Sequence, residues 1–320
     1  MDILISEDLQ NPALERLAQK YELVQDGALW RTPDRLGSAV REARALLVRN
    51  QTQVTPELLK SAPRLLAIGR VGVGLDNINV AAASELGIVV VAPLNANATS
   101  VAELTLGFIL ALARRIPQGD CSTKAGAWDR KGCTGIELAG KTLAVCGLGR
   151  IGGMVAELAR AFGMRVVGYD PFVKPGSPVL KQVLLCSSMD EALAAADFVT
   201  VHLPLTADTK GIFNQQKFAA MKRDAYFINT SRGGVVNESA LIEALQSGHL
   251  AGAALDVREV EPPSSRGALE SMDNVILTPH IAAFTTEAQT RTFEAVAQDV
   301  DRLLSGQPAV NFVNFATPKR

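Results

Sequence analysis

The thirty residues from Lys141 to Asp170, KTLAVCGLGRIGGMVAELARAFGMRVVGYD, constrain the fold of this chain more than any other stretch. The apolar run Thr142 to Cys146 predicts a buried strand, Ile151 to Phe162 carries the apolar period of a helix, and Arg165 to Tyr169 predicts a second strand. Strand, helix and strand in that order make a βαβ unit. Gly147, Gly149 and Gly152 place G-x-G-x-x-G at its first turn: the first glycine permits a tight turn, the second lets backbone approach a pyrophosphate, and the third lets helix and strand pack closely. The backbone of Arg150, Ile151 and Gly152 then opens the helix with free N–H groups, which together with the helix dipole favour phosphate. Asp170 ends the second strand eighteen residues after Gly152. A carboxylate there accepts hydrogen bonds from an adenosine ribose and repels a 2′-phosphate, so the expected cofactor is NAD rather than NADP.

A chain of 320 residues is expected to hold two domains, and 48% hydrophobic with 20% charged residues is ordinary for a globular enzyme. The formal net charge of −1, without a Lys/Arg block, argues against a nucleic-acid partner and favours small molecules. No basic, extended apolar leader precedes Ile3 to Ile5, and the most apolar helical run, Val101 to Ala113, is thirteen residues long and contains Glu103. That is too short and polar to span a bilayer, so no membrane partner and a cytoplasmic location are expected. Cys121, Cys133, Cys146 and Cys186 lack C-x-x-C spacing, which points to free thiols rather than disulfides or a metal site.

Before the βαβ unit, apolar runs at Ile3 to Ile5, Ala45 to Val48, Leu65 to Ile68 and Ile88 to Val91 alternate with helical segments, some opened by proline as in Asn11-Pro12 and Thr55-Pro56. Gly69 to Gly74, GRVGVG, lacks a following βαβ unit with a terminal acid, so it reads as a substrate loop that includes Arg70, Val71 and Gly72. A helix from Thr99 to about Arg115 is expected to end near Pro117, followed by a polar, unstructured segment, Gln118 to Leu138, suited to clasping a second subunit. Further strands are expected at Phe198 to Val201, Ala225 to Ile228, Gly252 to Leu255 and Val275 to Leu277, and a last helix from about Thr286 to Leu304.

Hydride chemistry needs a proton carrier, and there are three histidines. His249 reads as a helix-end residue. His202 ends an apolar strand on the edge where open α/β sheets bind ligands, where a cofactor contact and a structural role are both open. His280, in Leu277-Thr278-Pro279-His280, lies at another carboxyl end within a proline-restrained turn and is the proton-transfer candidate. Arg232, in Thr230-Ser231-Arg232-Gly233-Gly234, offers a fork for a carboxylate.

Gly147 to Gly152, Thr230 to Gly234, Leu255-Asp256-Val257-Arg258-Glu259-Val260-Glu261-Pro262 and Thr278-Pro279-His280 together resemble the signatures of the NAD-dependent D-2-hydroxyacid dehydrogenases. The resemblance covers nearly the whole chain. Pro117-Gln118, Lys124 to Lys131 and Gly69 to Asn77 are most similar to the D-3-phosphoglycerate dehydrogenase branch of that family. It implies an α/β fold with a Rossmann-type dinucleotide-binding domain, about 98–285, and a discontinuous flavodoxin-like substrate domain, 1–97 with 286–320, with the active site in the cleft. By the same resemblance Arg232 anchors the substrate carboxylate, His280 is the acid/base and Glu261 holds its other ring nitrogen. Pro204, Thr230, Asp256 and His280 join the cofactor contacts, Asp256 on the nicotinamide side. Arg49 and Arg70 would meet the far anionic end of a small 2-hydroxy or 2-oxo acid, and Arg130 would reach across a homodimer formed through the cofactor domain and the arm 118–138.

Two departures bear on pocket shape: Arg258 occupies a position usually aromatic in the family, and Phe284 follows the small residues Ala282-Ala283 after His280. The sequence ends at Arg320, short of the regulatory domains of longer phosphoglycerate dehydrogenases, so serine feedback through such a domain is not expected. The resemblance implies oxidoreduction of 3-phosphoglycerate and 3-phosphohydroxypyruvate, with glyoxylate/hydroxypyruvate reduction, sulfolactate-type oxidation and a non-catalytic NAD-sensing corepressor-like scaffold as alternatives. Formate dehydrogenase is set aside, because it would carry Gln where Glu261 stands.

Overall fold

The computed structural model describes residues 1–320, which divide into two compact units, Met1–Asn97 with Thr285–Arg320, and Ala98–Phe284. The first unit opens with β1 (Ile3–Ile5), α1 (Pro12–Ala18), β2 (Leu23–Gln25), α2 (Pro33–Val40), β3 (Ala45–Val48), α3 (Pro56–Lys60), β4 (Ala67–Arg70), α4 (Val80–Glu85) and β5 (Val89–Val91). Its helices begin where a side chain can take up a free N–H group: Asn11 accepts from Ala13 at 3.0 Å, and Thr55 accepts from Leu58 at 3.3 Å, each just ahead of a proline whose missing N–H costs nothing there. The strands form a parallel sheet in the order β2-β1-β3-β4-β5, the flavodoxin-like order. β3, β4 and β5 are buried along their whole length, as strands covered on both faces must be.

Two sequence expectations are corrected here. β4 starts at Ala67 rather than Leu65 and continues to Arg70, because Gly69 pairs with Leu47 and Arg70 with Val48. The first two residues of the expected glycine-rich loop are therefore strand. β2 carried no expectation, being three residues long at the sheet edge with Val24 and Gln25 exposed.

The second unit contains α5 (Ala98–Ala113), α6 (Ile116–Lys124), β6 (Thr142–Cys146), α7 (Arg150–Ala161), β7 (Arg165–Tyr169), β8 (Leu184–Leu185), α8 (Met189–Ala195), β9 (Phe198–Val201), α9 (Gln215–Ala220), β10 (Ala225–Asn229), α10 (Glu238–Gln246), β11 (Leu250–Leu255) and β12 (Val275–Leu277). Its parallel sheet runs β12-β11-β10-β9-β6-β7-β8, a Rossmann order extended by one strand. The order reverses between β6 and β9, and that switch point is where such sheets bind ligands. α7 buries Gly152, Val155, Ala156 and Ala159, the i, i+3, i+4, i+7 stripe that lays it on the sheet.

Pro117 does not end the helical region as expected. α5 stops at Ala113, Arg115 takes a left-handed φ of 51°, and Pro117 then sits in the first turn of α6. The expected unstructured arm is thus helical through Lys124, and α6 buries none of its residues. No helix is long and apolar enough to cross a membrane.

α11 (Thr286–Leu304) belongs to the first unit, capped by Thr285, which accepts from Ala288 at 3.1 Å. Val296 of α11 lies so close over β4 that a Cβ added at Gly69 would stand 2.8 Å from its Cγ1. A glycine in that strand lets helix and sheet meet.

Candidate active site

The glycine turn is built by close contact. Gly147 has φ +95°, and a Cβ there would meet the His202 carbonyl oxygen at 2.6 Å. A Cβ on Gly152 would stand 2.0 Å from the Gly147 oxygen, so only glycine admits this packing of α7 on the turn. Gly149 faces open space, and no side chain caps the first turn of α7. Arg150 is exposed and Ile151 half-buried beside it. Asp170 ends the next strand, its Oδ2 accepting the Leu148 N–H at 2.8 Å and its Oδ1 the Phe172 N–H at 2.9 Å. Each oxygen keeps a further lone pair for a ribose hydroxyl. A dinucleotide therefore fits: open space before Gly149, unclaimed N–H groups, and an oriented carboxylate.

His202 follows β9 across the switch point and donates its backbone N–H to Cys146 at 2.8 Å. Its Nε2 bonds the Thr200 hydroxyl at 3.0 Å, while its Nδ1, sealed from solvent, has no partner. Burial pushes the ring pKa down to about 3, so it is a neutral group. Pro204 is exposed, its carbonyl accepting the Thr209 hydroxyl at 2.6 Å. His249 sits behind α10 with Nε2 at 3.0 Å from the Phe218 carbonyl and 3.1 Å from that of Met221, a structural bracket.

Three loops at the carboxyl edge of the same sheet carry the remaining candidates. After β10, Asn229 shapes the turn, accepting the Ser231 N–H at 2.9 Å and donating to the Arg232 carbonyl at 3.0 Å. Thr230 is buried with its hydroxyl 2.9 Å from that of Thr105. Arg232 is half-buried, with one guanidinium nitrogen on the Ser231 carbonyl at 2.8 Å. After β11, Asp256 is 1% exposed and binds the His280 turn rather than open space: Oδ1 accepts the Thr278 hydroxyl at 2.5 Å and the Ile281 N–H at 2.8 Å, and Oδ2 the Ala282 N–H at 2.8 Å. These bonds hold His280 in a left-handed conformation, φ 55°, in which a non-glycine residue persists only when its surroundings dictate it.

His280 Nδ1 lies 2.6 Å from Glu261 Oε2. A carboxylate only accepts, so Nδ1 carries the proton of this bond and Nε2 is the nitrogen left for a substrate. Burial works to raise the Glu261 carboxyl, but the His280 bond, the Arg258 N–H and the charges of His280 and Arg232 outweigh it and hold it below the usual carboxylate range. Arg232, Glu261 and His280 are thus electrostatically connected, although they come from three separate loops.

Of the remaining candidates, Arg49, Arg70, Val71 and Gly72 belong to the first unit and Arg130 to the second. Arg49 is half-buried, donating to Gln289 Oε1 at 2.7 Å. Its backbone is held by Glu7, 2% exposed, whose carboxylate accepts the N–H groups of Arg49 at 2.7 Å, Thr52 at 3.0 Å and Gln51 at 3.2 Å. Glu7 escaped the sequence reading, although its place just beyond β1 is a carboxyl edge. Arg70 is 8% exposed and folds over its own loop, Nε to the Gly74 carbonyl at 2.8 Å and Nη1 to that of Val71 at 2.9 Å. Gly72, at φ +151°, leaves the room: a Cβ there would meet Arg70 Nη1 at 2.1 Å. Val71 is buried, and Arg130 is exposed.

A doubly wound sheet with a phosphate turn at its switch point and a carboxylate–histidine pair on the same edge is the architecture of a dinucleotide-dependent dehydrogenase. The family model described as D-isomer specific 2-hydroxyacid dehydrogenase, NAD binding domain, matches residues 106–282. A D-3-phosphoglycerate dehydrogenase of Methanocaldococcus jannaschii is 45% identical over 313 residues, which are 98% of this chain and 59% of that protein. The TT0316 protein of Thermus thermophilus superposes with a TM-score of 0.90 at 34% identity, covering 98% of this chain and 100% of that one. A D-lactate dehydrogenase of Aquifex aeolicus, solved with NAD and lactic acid, superposes with a TM-score of 0.87 at 31% identity over 98% of this chain and 99% of that one. The chain belongs to the D-isomer-specific 2-hydroxyacid dehydrogenase family. It spans less than two thirds of the length of the phosphoglycerate dehydrogenases it matches.

Proposed function

We propose that this chain is an NAD-dependent oxidoreductase that interconverts a D-2-hydroxy acid and its 2-oxo acid, with 3-phosphoglycerate and 3-phosphohydroxypyruvate as the physiological pair. The observation that carries the reading is the 2.6 Å bond between Glu261 and His280 Nδ1, which leaves Nε2 as the proton donor. Bound NADH supplies the hydride. Arg232 holds the substrate carboxylate through its fork, and His280 Nε2–H gives its proton to the oxo oxygen as the carbonyl carbon receives the hydride pair. The Glu261 carboxylate stabilises the imidazolium before transfer and keeps Nε2 directed at the substrate. In oxidation the same nitrogen takes the hydroxyl proton.

The phosphate end is assigned to Arg49, Arg70 and Arg130, supported by the names of the relatives at 45% and 42% identity. We assign the exposed segment from α6 through Lys131, with Trp128 80% exposed, to a homodimer contact, and place the protein in the cytoplasm.

The test is kcat/KM with NADH for phosphohydroxypyruvate, hydroxypyruvate and glyoxylate, in the parent and in Arg70→Ala and Arg130→Ala. Charge-assisted bonds of about 1.5–3 kcal/mol each make the phosphorylated acid better by at least ~10-fold per cation, and each variant should erase its share. Equal efficiency for all three acids, or variants that leave the ratio unchanged, would overturn the substrate assignment. Absence of NADH oxidation with any oxo acid would overturn the reaction.

A further inference from the structure

Arg258, the departure from the family pattern after Asp256-Val257, is held by acidic partners. Its side chain is 15% exposed and turns into a cluster of two carboxylates. Nε and Nη2 meet Glu238 Oε1 and Oε2, both at 3.0 Å, a bidentate fork on the first residue of α10, and Nη1 bonds Glu270 in the 3₁₀ turn Leu269–Ser271. Glu238 and Glu270 are themselves 18% and 22% exposed, so the three charges share a largely dry site. Glu238 Oε1 also accepts the Glu259 N–H at 2.6 Å, which fastens the backbone on the far side of Arg258.

The backbone of the same residue reaches the acid/base pair. The Arg258 N–H donates to Glu261 Oε1 at 2.9 Å, while Glu261 Oε2 takes His280 Nδ1 at 2.6 Å. Both oxygens of Glu261 are thereby committed, one to the clamped backbone and one to the imidazole. On its carbonyl side, Arg258 is packed under the turn that follows Arg232, where a Cβ on Gly233 would come within 1.7 Å of the Arg258 oxygen.

We propose that Arg258 is the positioning residue of the acid/base pair: Glu238 and Glu270 fix its guanidinium, its N–H fixes Glu261, and Glu261 holds His280 as the Nδ1–H tautomer with Nε2 free for the substrate. This inference rests on the dehydrogenase reading for its kinetic consequence and not for its structural one. A fork gripped by two carboxylates resists rotation, as a point charge or an apolar side chain does not. The catalytic carboxylate is anchored through that fork to α10 and the 3₁₀ turn.

Ring-labelled ¹⁵N-histidine protein carries three pairs of Nδ1 and Nε2 signals, one pair per histidine, and His280→Gln assigns the pair in question. At a pH where the ring is neutral, the parent should show His280 as the Nδ1–H tautomer. Arg258→Met should shift it to a mixture of tautomers and lower kcat for oxo-acid reduction about 10-fold, within the ~10² that a 1 Å misplacement can cost, with the Kd for NADH unchanged within about twofold. Arg258→Lys should fall between the two. If Arg258→Met leaves two facing carboxylates and does not fold, Arg258→Met/Glu238→Gln/Glu270→Gln removes those charges and is read in the same way. A folded variant that keeps the parental tautomer overturns the proposal, whether or not kcat falls, because the residue then acts on the fold alone. A parent without turnover removes the proposed reaction, and the tautomer still decides the clamp.

Discussion

Two adjacent glycines give the active-site geometry a matched control. At Gly233 an added Cβ would stand 1.7 Å from the Arg258 carbonyl oxygen, 2.0 Å from its carbon and 2.7 Å from the Glu259 nitrogen, all backbone atoms. At Gly234 it would meet only Leu205, Cδ2 at 3.0 Å and Cδ1 at 3.2 Å, and Leu205 is 39% exposed and able to turn aside. Real Cβ contacts stop near 3.0 Å, so Gly233→Ala must drive the loop at Arg258 back by more than 1 Å. That displacement breaks the 2.9 Å bond from the Arg258 N–H to Glu261 and withdraws the carboxylate from His280. Overpacking of this kind costs about 1–3 kcal/mol of stability, and a shift of 1 Å at the chemistry costs about 10² in rate. Gly234→Ala adds no such clash and narrows the unfolded ensemble, so its stability should stay within about 0.5 kcal/mol of the parent or rise slightly. Urea unfolding gives the first quantity, kcat for oxo-acid reduction the second, and NADH fluorescence reports whether the cofactor turn has survived. If the two variants match in stability and differ less than about twofold in kcat, the close approach of these loops is not what holds the pair.

Asp170 should make NADH at least ~10² better than NADPH in kcat/KM, since juxtaposed like charges cost several kcal/mol; Asp170→Asn should narrow the gap, and equal use of both cofactors by the parent would refute the role. His202, depressed from 6.5 to about 3 by burial, gives a pH signature. Between those values the unfolded chain binds a proton that the folded chain refuses, so stability falls as pH drops below about 6.5, by on the order of 1–2 kcal/mol between pH 7 and 5. Urea melts of the parent and of His202→Asn at those two pH values should differ by that share, and identical pH dependences would show that the ring titrates freely in the native state.

What could be read from the chain before its structure was the part governed by local physics. β6, β7 and α11 fall where the chain leads one to expect them, because buried strands and long amphipathic helices announce themselves within a dozen residues. β2 and β8 escaped for the opposite reason: three- and two-residue edge strands, mostly exposed, have neither a continuous apolar run nor an alternation long enough to register. Pro117 misled because proline marks the start of one helix as readily as the end of another, and only the left-handed Arg115 before it decides which. Arg232 and His280 were legible as residues because each follows a strand at the edge where such sheets bind ligands, and Glu261 was legible only through the family resemblance. Their supports were not. Glu7 lies 42 residues from the Arg49 backbone it holds, and Glu238 lies 20 from Arg258. No periodicity connects such partners, because nothing but the completed sheet brings their loops together. The same distance in sequence explains why Arg258 reads as a misfit in its own motif: its reasons lie in α10 and in the 3₁₀ turn at Leu269–Ser271, and a motif that spans eight residues contains neither. A substitution that looks anomalous within a local signature is therefore best judged against the carboxylates and amides that the sheet delivers to it, which for Arg258 are Glu238, Glu270 and the hydrogen bond to Glu261.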